Sequence, residues 1–126
     1  MITHINPAGL HKNPVFSQAI IAPAGRTLYI GGQDGTDPEG ALVSDDAGEQ
    51  TAQALTNILT ILDDVGATVS DVVKMTVYLS PDADFDSAFA AVGPVWGPNP
   101  TTITVLRTAP VRPGALVEIE AIAALP

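Results

Sequence analysis

Two glutamates, Glu118 and Glu120, interrupt the otherwise apolar stretch ALVEIEAIA at residues 115 to 123. Side chains on a strand alternate between faces, so residues two apart point the same way. Glu118 and Glu120 therefore share a face with Leu116 and Ile122, while Val117, Ile119 and Ala121 take the other. Carboxylates are seldom buried without a partner. A partly desolvated glutamate has a raised pKa, which suits a general acid or a water-activating base near neutral pH. The competing structural reading is a strand whose polar face stays wet at a sheet edge or subunit boundary, or whose glutamates pair with arginines.

Other catalytic patterns are missing. The chain has no cysteine, which excludes disulfides and thiolate metal sites. His4 and His11 lie outside any motif in an N-terminal stretch that reads as flexible, so neither a Ser–His–acid triad nor a metal site is expected there. The GGQDG of residues 31–35 has neither dinucleotide nor P-loop spacing and reads as a turn. DPEG, residues 37–40, lacks the spaced carboxylates of a calcium loop. Five Lys and Arg against fourteen Asp and Glu give a net charge of −9. That balance repels phosphate backbones and argues against nucleic acid as a partner. No apolar run reaches the about 18 residues of a membrane span, and MITHINPAGLHKN is unlike a signal peptide. No membrane association and a cytoplasmic location are the expectations.

The elements that must hold these residues form one domain over residues 1–126, with no repeat or linker. SQAIIA (17–22) and TLYIG (27–31) are short β-forming runs separated by the turn chemistry of PAG, which predicts a hairpin. GGQDGTDPEG (31–40) follows as a loop. From Asp45 to Val65, Leu55, Ile58, Leu59, Leu62 and Val65 recur at three- and four-residue steps and predict a helix, with Ser44 as its N-cap and Gly66 at its stop. VVKMTVYLS (72–80) reads as a strand with Val73, Met75, Val77 and Leu79 on one face. A second helix from about Ser80–Asp84 carries Phe85, Phe89 and Val92 and is interrupted by Gly93–Pro94. Strands at 101–107 and 115–125, joined by TAPVRPG, complete the order β-β-α-β-α-β-β. The expected fold is an α+β sandwich with helices on one face of a mixed sheet.

NPVFSQAI (13–20), LYIGGQDGTDPEGALV (28–43), EQTAQALTNILTILDDVGATVSDVVKMTVYL (49–79) and GALVEIEAIA (114–123) together resemble the RidA (YjgF) family. The resemblance runs in order over nearly the whole chain. It implies a chorismate-mutase-like fold assembled as a homotrimer, with sheets around a central barrel and a ligand cleft between each pair of subunits. It also implies hydrolysis of reactive enamines and imines released by pyridoxal-phosphate enzymes to a keto acid and ammonia, with no cofactor of the protein's own. Glu118, the first glutamate of the VEIEA motif, falls on the family's water-positioning residue, whereas Glu120 has no catalytic counterpart.

Several positions depart from the family pattern. The arginine that grips the substrate carboxylate bidentately falls on Thr102, and the frequent cysteine near it on Thr104. The family's tyrosine falls on Phe16, its serine or threonine before Gly-Gln on Gly31, and the asparagine of its second helix on Phe89. Arg107 and Arg112 lie elsewhere, and Arg107 would have to reach in from five residues away. The expected cleft has Glu118 at its bottom, walls of Phe16, Phe89 and Thr102, and backbone groups of Gly31 and Gly32 at its rim. Glu120 is expected to be the more exposed glutamate. An unpaired Glu118 would repel a substrate carboxylate by about 4 kcal/mol at ~4 Å and an effective dielectric near 20. Two readings follow: an imine or enamine hydrolase that is poor on the usual 2-imino acids, or a non-catalytic trimer binding a small apolar or amine ligand. Ribonuclease activity, also attached to the family, is disfavoured by the net charge of −9.

Overall fold

The computed structural model describes residues 1–126. Along the chain run β1 (Thr3–Ile5), β2 (Ala19–Ile21), β3 (Thr27–Asp34), α1 (Ala47–Asp64), β4 (Val72–Leu79), α2 (Phe85–Ala90), α3 (Val92–Trp96), β5 (Thr102–Arg107) and β6 (Val117–Ala124). The apolar spacing of α1 is realised as a buried stripe of Leu55, Ile58 and Leu62, with Leu59 packed at its margin. Val65 lies past the helix end and is exposed. The helix starts at Ala47 rather than Asp45 because Asp46, not Ser44, is its N-cap. The Asp46 carboxylate accepts the Glu49 N–H at 2.8 Å, and Ser44 Oγ instead accepts the Asp46 N–H at 3.1 Å. Gly66, at φ +73°, takes the left-handed conformation that ends helices. No helix is long and apolar enough to cross a membrane.

One mixed sheet carries the core, in the spatial order β3-β6-β4-β5. The β4–β5 pairing is parallel and the other two are antiparallel. Helix α1 packs on β3 and β6, and α2 and α3 pack on α1, so all helices lie on one side. Toward them β6 turns Val117, Ile119, Ala121 and Ala123, all buried. The alternation predicted for the glutamate strand therefore holds, and the strand is central, not an edge. On β4 the buried residues are Val72, Met75 and Leu79. A register shift between Val72 and Lys74 puts Val72, in place of the expected Val73, into the core.

Three other expectations need correction. Ala19–Ile21 forms no hairpin with β3; it pairs antiparallel with Thr3–Ile5, which makes a small second sheet of a segment that reads as flexible. The eight-residue β3 pairs instead with β6, from Thr27 opposite Ala124 to Asp34 opposite Glu118. A long ladder with a buried face outcompetes three residues next to a permissive turn. GGQDG is not a turn either. Gly31 and Gly32 form a bulge inside β3, between Ile30 and Gln33, and the strand resumes pairing beyond it. Finally, the second helix divides at Ala91 into α2 and α3, with Asp84 capping α2 through the Ser87 N–H at 3.0 Å. Its buried residues are Ala88 and Trp96, while Phe85 and Phe89 are exposed and stacked on each other at 5.9 Å. A small residue faces α1 because the two helices pack closely.

Gln50 links this frame to the strand of interest. It is fully buried on α1, and its Nε2 donates to the carbonyls of Ser44 (2.8 Å) and Gly114 (3.1 Å). Its Oε1 accepts the Leu116 N–H at 2.8 Å. Each polar atom of the amide is thus satisfied, and the entry to β6 is pinned two residues before Glu118.

Candidate functional site

The side of the sheet away from the helices carries the polar residues of β6, β4 and β5. Strand register sets them in rows: Asp34, Glu118 and Tyr78; then Glu120, Thr76 and Thr104; then Ile122, Lys74 and Thr102. Register sets the β3 bulge opposite Glu120, and Glu118, one pleat further along opposite Asp34, turns its side chain toward it. Its carboxylate occupies the space a side chain at position 32 would need, since a β-carbon on Gly32 would stand 2.8 Å from Glu118 Cδ and closer still to Oε2. Residue 32 is glycine because the carboxylate lies across it. Asp34, directly opposite Glu118, would add a repelling charge. Arg112 offsets it, with Nε 2.6 Å from Asp34 Oδ2, the one ion pair within the chain.

Glu118 and Glu120 are both half-buried, so the expected difference in their exposure is not found. Glu120 is held: the Tyr78 hydroxyl donates to its Oε2 at 2.7 Å. This hydrogen bond is the main reason the Tyr78 phenol titrates above its ordinary 10.0, with desolvation and the charges of Glu120 and Glu118 adding. Each of these favours the neutral phenol. A raised folded pKa means the contribution to stability is complete below pH about 10 and lost as pH climbs through the folded value. Spectrophotometric titration should show a late-ionising phenol that disappears in Tyr78→Phe and ionises earlier in Glu120→Gln. An unchanged titration in Glu120→Gln would dissociate the two residues.

The remaining expected site residues fall into separate places. Phe16 bridges Thr101 and so lies beside Thr102 and Thr104 at the start of β5. Thr102 Oγ1 donates to the Val73 carbonyl at 2.6 Å, and Thr104 Oγ1 accepts from Lys74 Nζ at 2.7 Å. Strand β4 stands between this group and Glu118, a separation of about 10 Å at ~4.8 Å per strand. Gly31 joins Gly32 in the β3 bulge, and of the two it is Gly32 that Glu118 lies against. Arg107, at the far end of β5, turns Nη1 to the carbonyls of Ser80 (2.9 Å) and Ala83 (2.8 Å). Phe89 is in the helical layer. One chain therefore gathers the expected residues into two separate groups: Glu118 with Gly31 and Gly32, and Phe16 with Thr102 and Thr104.

Sequence reasoning passed over Asp34, Tyr78 and Lys74. All three share the Glu118 face, and for the two on β4 the available signal was their polar position in VVKMTVYL. The N-terminal histidine is ordered: His4 Nδ1 lies 2.7 Å from Ser17 Oγ, which donates to the Pro100 carbonyl at 3.2 Å. A recess of about 570 Å³ adjoins it, among Ile2, Asp71, Asn99 and Leu125, and contains neither Glu118 nor Glu120.

A mixed four-stranded sheet with helices on one side and carboxylates on the other defines a chorismate-mutase-like α+β protein. Residues 10–125 match the family model described as Endoribonuclease L-PSP, and the chain belongs to that family, the RidA/YjgF proteins. The 2-iminobutanoate/2-iminopropanoate deaminase of Homo sapiens is 37 % identical over 109 residues, covering 86 % of this chain and 78 % of the relative. Among solved structures, the Rid-family protein YyfB of Yersinia pestis superposes with a TM-score of 0.87 at 32 % identity, covering 98 % of both chains. RidA from an Antarctic Psychrobacter gives 0.71 at 30 % identity, over 95 % of this chain and 94 % of that one.

Proposed function

We propose that this protein is a cofactor-independent cytoplasmic hydrolase of small enamines or imines, working in clefts between the subunits of a homotrimer. The observation that carries the reading is the Glu118 carboxylate laid across Gly32, on a polar sheet face that no helix covers. The deaminase activity in the human relative's name supports it. In the reaction, Glu118 takes a proton from water as the oxygen adds to the C=N carbon. It returns that proton to nitrogen to give a carbinolamine, then takes the new hydroxyl proton and passes it to the amine as the C–N bond breaks, so that ammonia leaves with the carbonyl product; an enamine first becomes the imine by a shift of a proton from nitrogen to carbon. The separation of the two groups supports an assembly, because a second copy could set Phe16, Thr102 and Thr104 of one chain across from Glu118, Gly31 and Gly32 of another, and a trimer closes three such clefts. Phe89 of a neighbour would add an apolar wall.

Thr102 carries no charge where the family has its clamp, and Arg107 is occupied with backbone carbonyls. 2-Iminobutanoate and 2-iminopropanoate are therefore expected to be poor substrates beside an imine without a carboxylate. The test is ammonia release from both classes, paired with sedimentation. The expected results are a species of three times 12.9 kDa and faster turnover of the uncarboxylated imine. A monomer at micromolar concentration would remove the cleft, and rates on 2-imino acids like those of the human relative would show that the carboxylate is oriented as firmly without an arginine at position 102. The second reading, a non-catalytic trimer that only binds an amine or apolar metabolite, is favoured by the same neutral Thr102, whose hydroxyl is committed to the Val73 carbonyl. It predicts saturable binding without ammonia release. RNA cleavage is not part of either reading, because a face bearing Asp34, Glu118 and Glu120 on a chain of net charge −9 repels phosphates.

A further inference from the structure

On β4, Lys74 projects from the same sheet face as Thr102 and Thr104. Register places it directly beside Thr102, and its Nζ reaches along the sheet to Thr104 Oγ1 at 2.7 Å. Arg112 is engaged with Asp34 and Arg107 with the carbonyls of Ser80 and Ala83, while Arg26, just before β3, lies at the opposite edge of the sheet from β5. Lys74 has only a neutral hydroxyl as partner and no carboxylate within ion-pair distance. An ammonium group has three donors, so two remain after Thr104. From the geometry we infer that Lys74 is the charge-reading residue of the cleft: held by Thr104, it receives one oxygen of a substrate carboxylate.

The inference deepens the hydrolase reading and rests on it for the identity of the ligand, a short 2-oxo or 2-imino acid. A point charge on a flexible stem binds a carboxylate through one oxygen, without the two parallel bonds of a guanidinium. Carboxylated ligands should accordingly bind better than uncarboxylated ones yet be held loosely, so that the imine carbon is poorly placed before Glu118 and turnover of 2-imino acids stays slow. In the assembled cleft, Lys74 lies on the side of Thr102 and Thr104 while Glu118 and Glu120 lie on the other. A ligand with a negative end and a protonated nitrogen would then align its charges with both sides.

Binding decides the matter independently of turnover. By NMR titration of the trimer, 2-oxobutanoate should bind about tenfold more tightly than 2-butanone, a typical effect of one hydrogen bond to a charged group, with shifts at Thr104. Lys74→Met, which keeps the apolar stem, should erase that preference, and Lys74→Arg should restore it. Where Lys74→Met fails to fold, Thr104→Val removes the anchor and should reduce the preference. The inference is overturned if the methionine or valine variant keeps the preference, if both ligands weaken equally, if neither binds to the wild-type chain, or if inorganic phosphate competes as well as the 2-oxo acid. A wild-type chain that binds 2-oxobutanoate through Lys74 yet hydrolyses no imine would refute the hydrolase reading and leave this one standing.

Discussion

Glu118→Gln in the proposed hydrolase should lower kcat/KM for imines by about 10²–10⁴, the range a positioned general acid–base supplies, while the proposed trimer sediments unchanged. The amide has the shape of the carboxylate and can still lie across Gly32, whose missing side chain makes room for it. What it lacks is the ability to take a proton from water and give it to the departing nitrogen. Glu120→Gln is the matched control. Its carboxylate accepts the Tyr78 hydroxyl, so its loss should show in the phenol titration far more than in turnover. If the protein only binds its ligand, Glu118→Gln should alter affinity modestly and nothing else. If it is Glu118→Gln that breaks the trimer and Glu120→Gln that abolishes turnover, the two carboxylates have been assigned the wrong way round.

Gly35→Ala should be the most damaging single methyl group for stability. Gly35 is buried just after β3, and a β-carbon there would stand 2.6 Å from Gln50 Cα and 2.8 Å from the Gln50 carbonyl oxygen. Those are main-chain atoms of α1, which cannot swing aside as a side-chain tip can. Helix and strand would have to separate, and the three hydrogen bonds of the buried Gln50 amide would be strained with them. Overpacking of this kind costs roughly 3 kcal/mol, a large fraction of the 5–15 kcal/mol that holds a typical domain together (about that range in general). The urea midpoint should fall with little change in slope. Gly31→Ala is the contrast: a β-carbon at Gly31 meets nothing within 4 Å, and its midpoint should stay close to wild type. Equal shifts in the two variants would mean that backbone freedom, not close approach, makes Gly35 necessary.

The sequence by itself determined the features whose cause lies within a few neighbouring residues. Three- and four-residue apolar steps specify α1, and two-residue alternation separates Val117, Ile119 and Ala121 from Glu118 and Glu120. The resemblance of the VEIEA stretch to its family singled out Glu118, and the strand alternation put that residue on the face away from the helices. Which strands meet was decided only in three dimensions, because β3 chooses between a three-residue neighbour and an eight-residue partner some ninety positions away (roughly, along the chain) by comparing whole ladders. The bulge at Gly31 and Gly32, the entry of Val72 in place of Val73, and the exposure of Phe85 and Phe89 follow from that choice and from close helix packing. So does the site. Tyr78 meets Glu120, and Lys74 meets Thr104, across gaps of 42 and 30 residues, where no local pattern extends. The separation of Glu118 from Thr102 has the same origin: the order β3-β6-β4-β5 inserts β4 between them, and a linear chain carries no local mark of strand order.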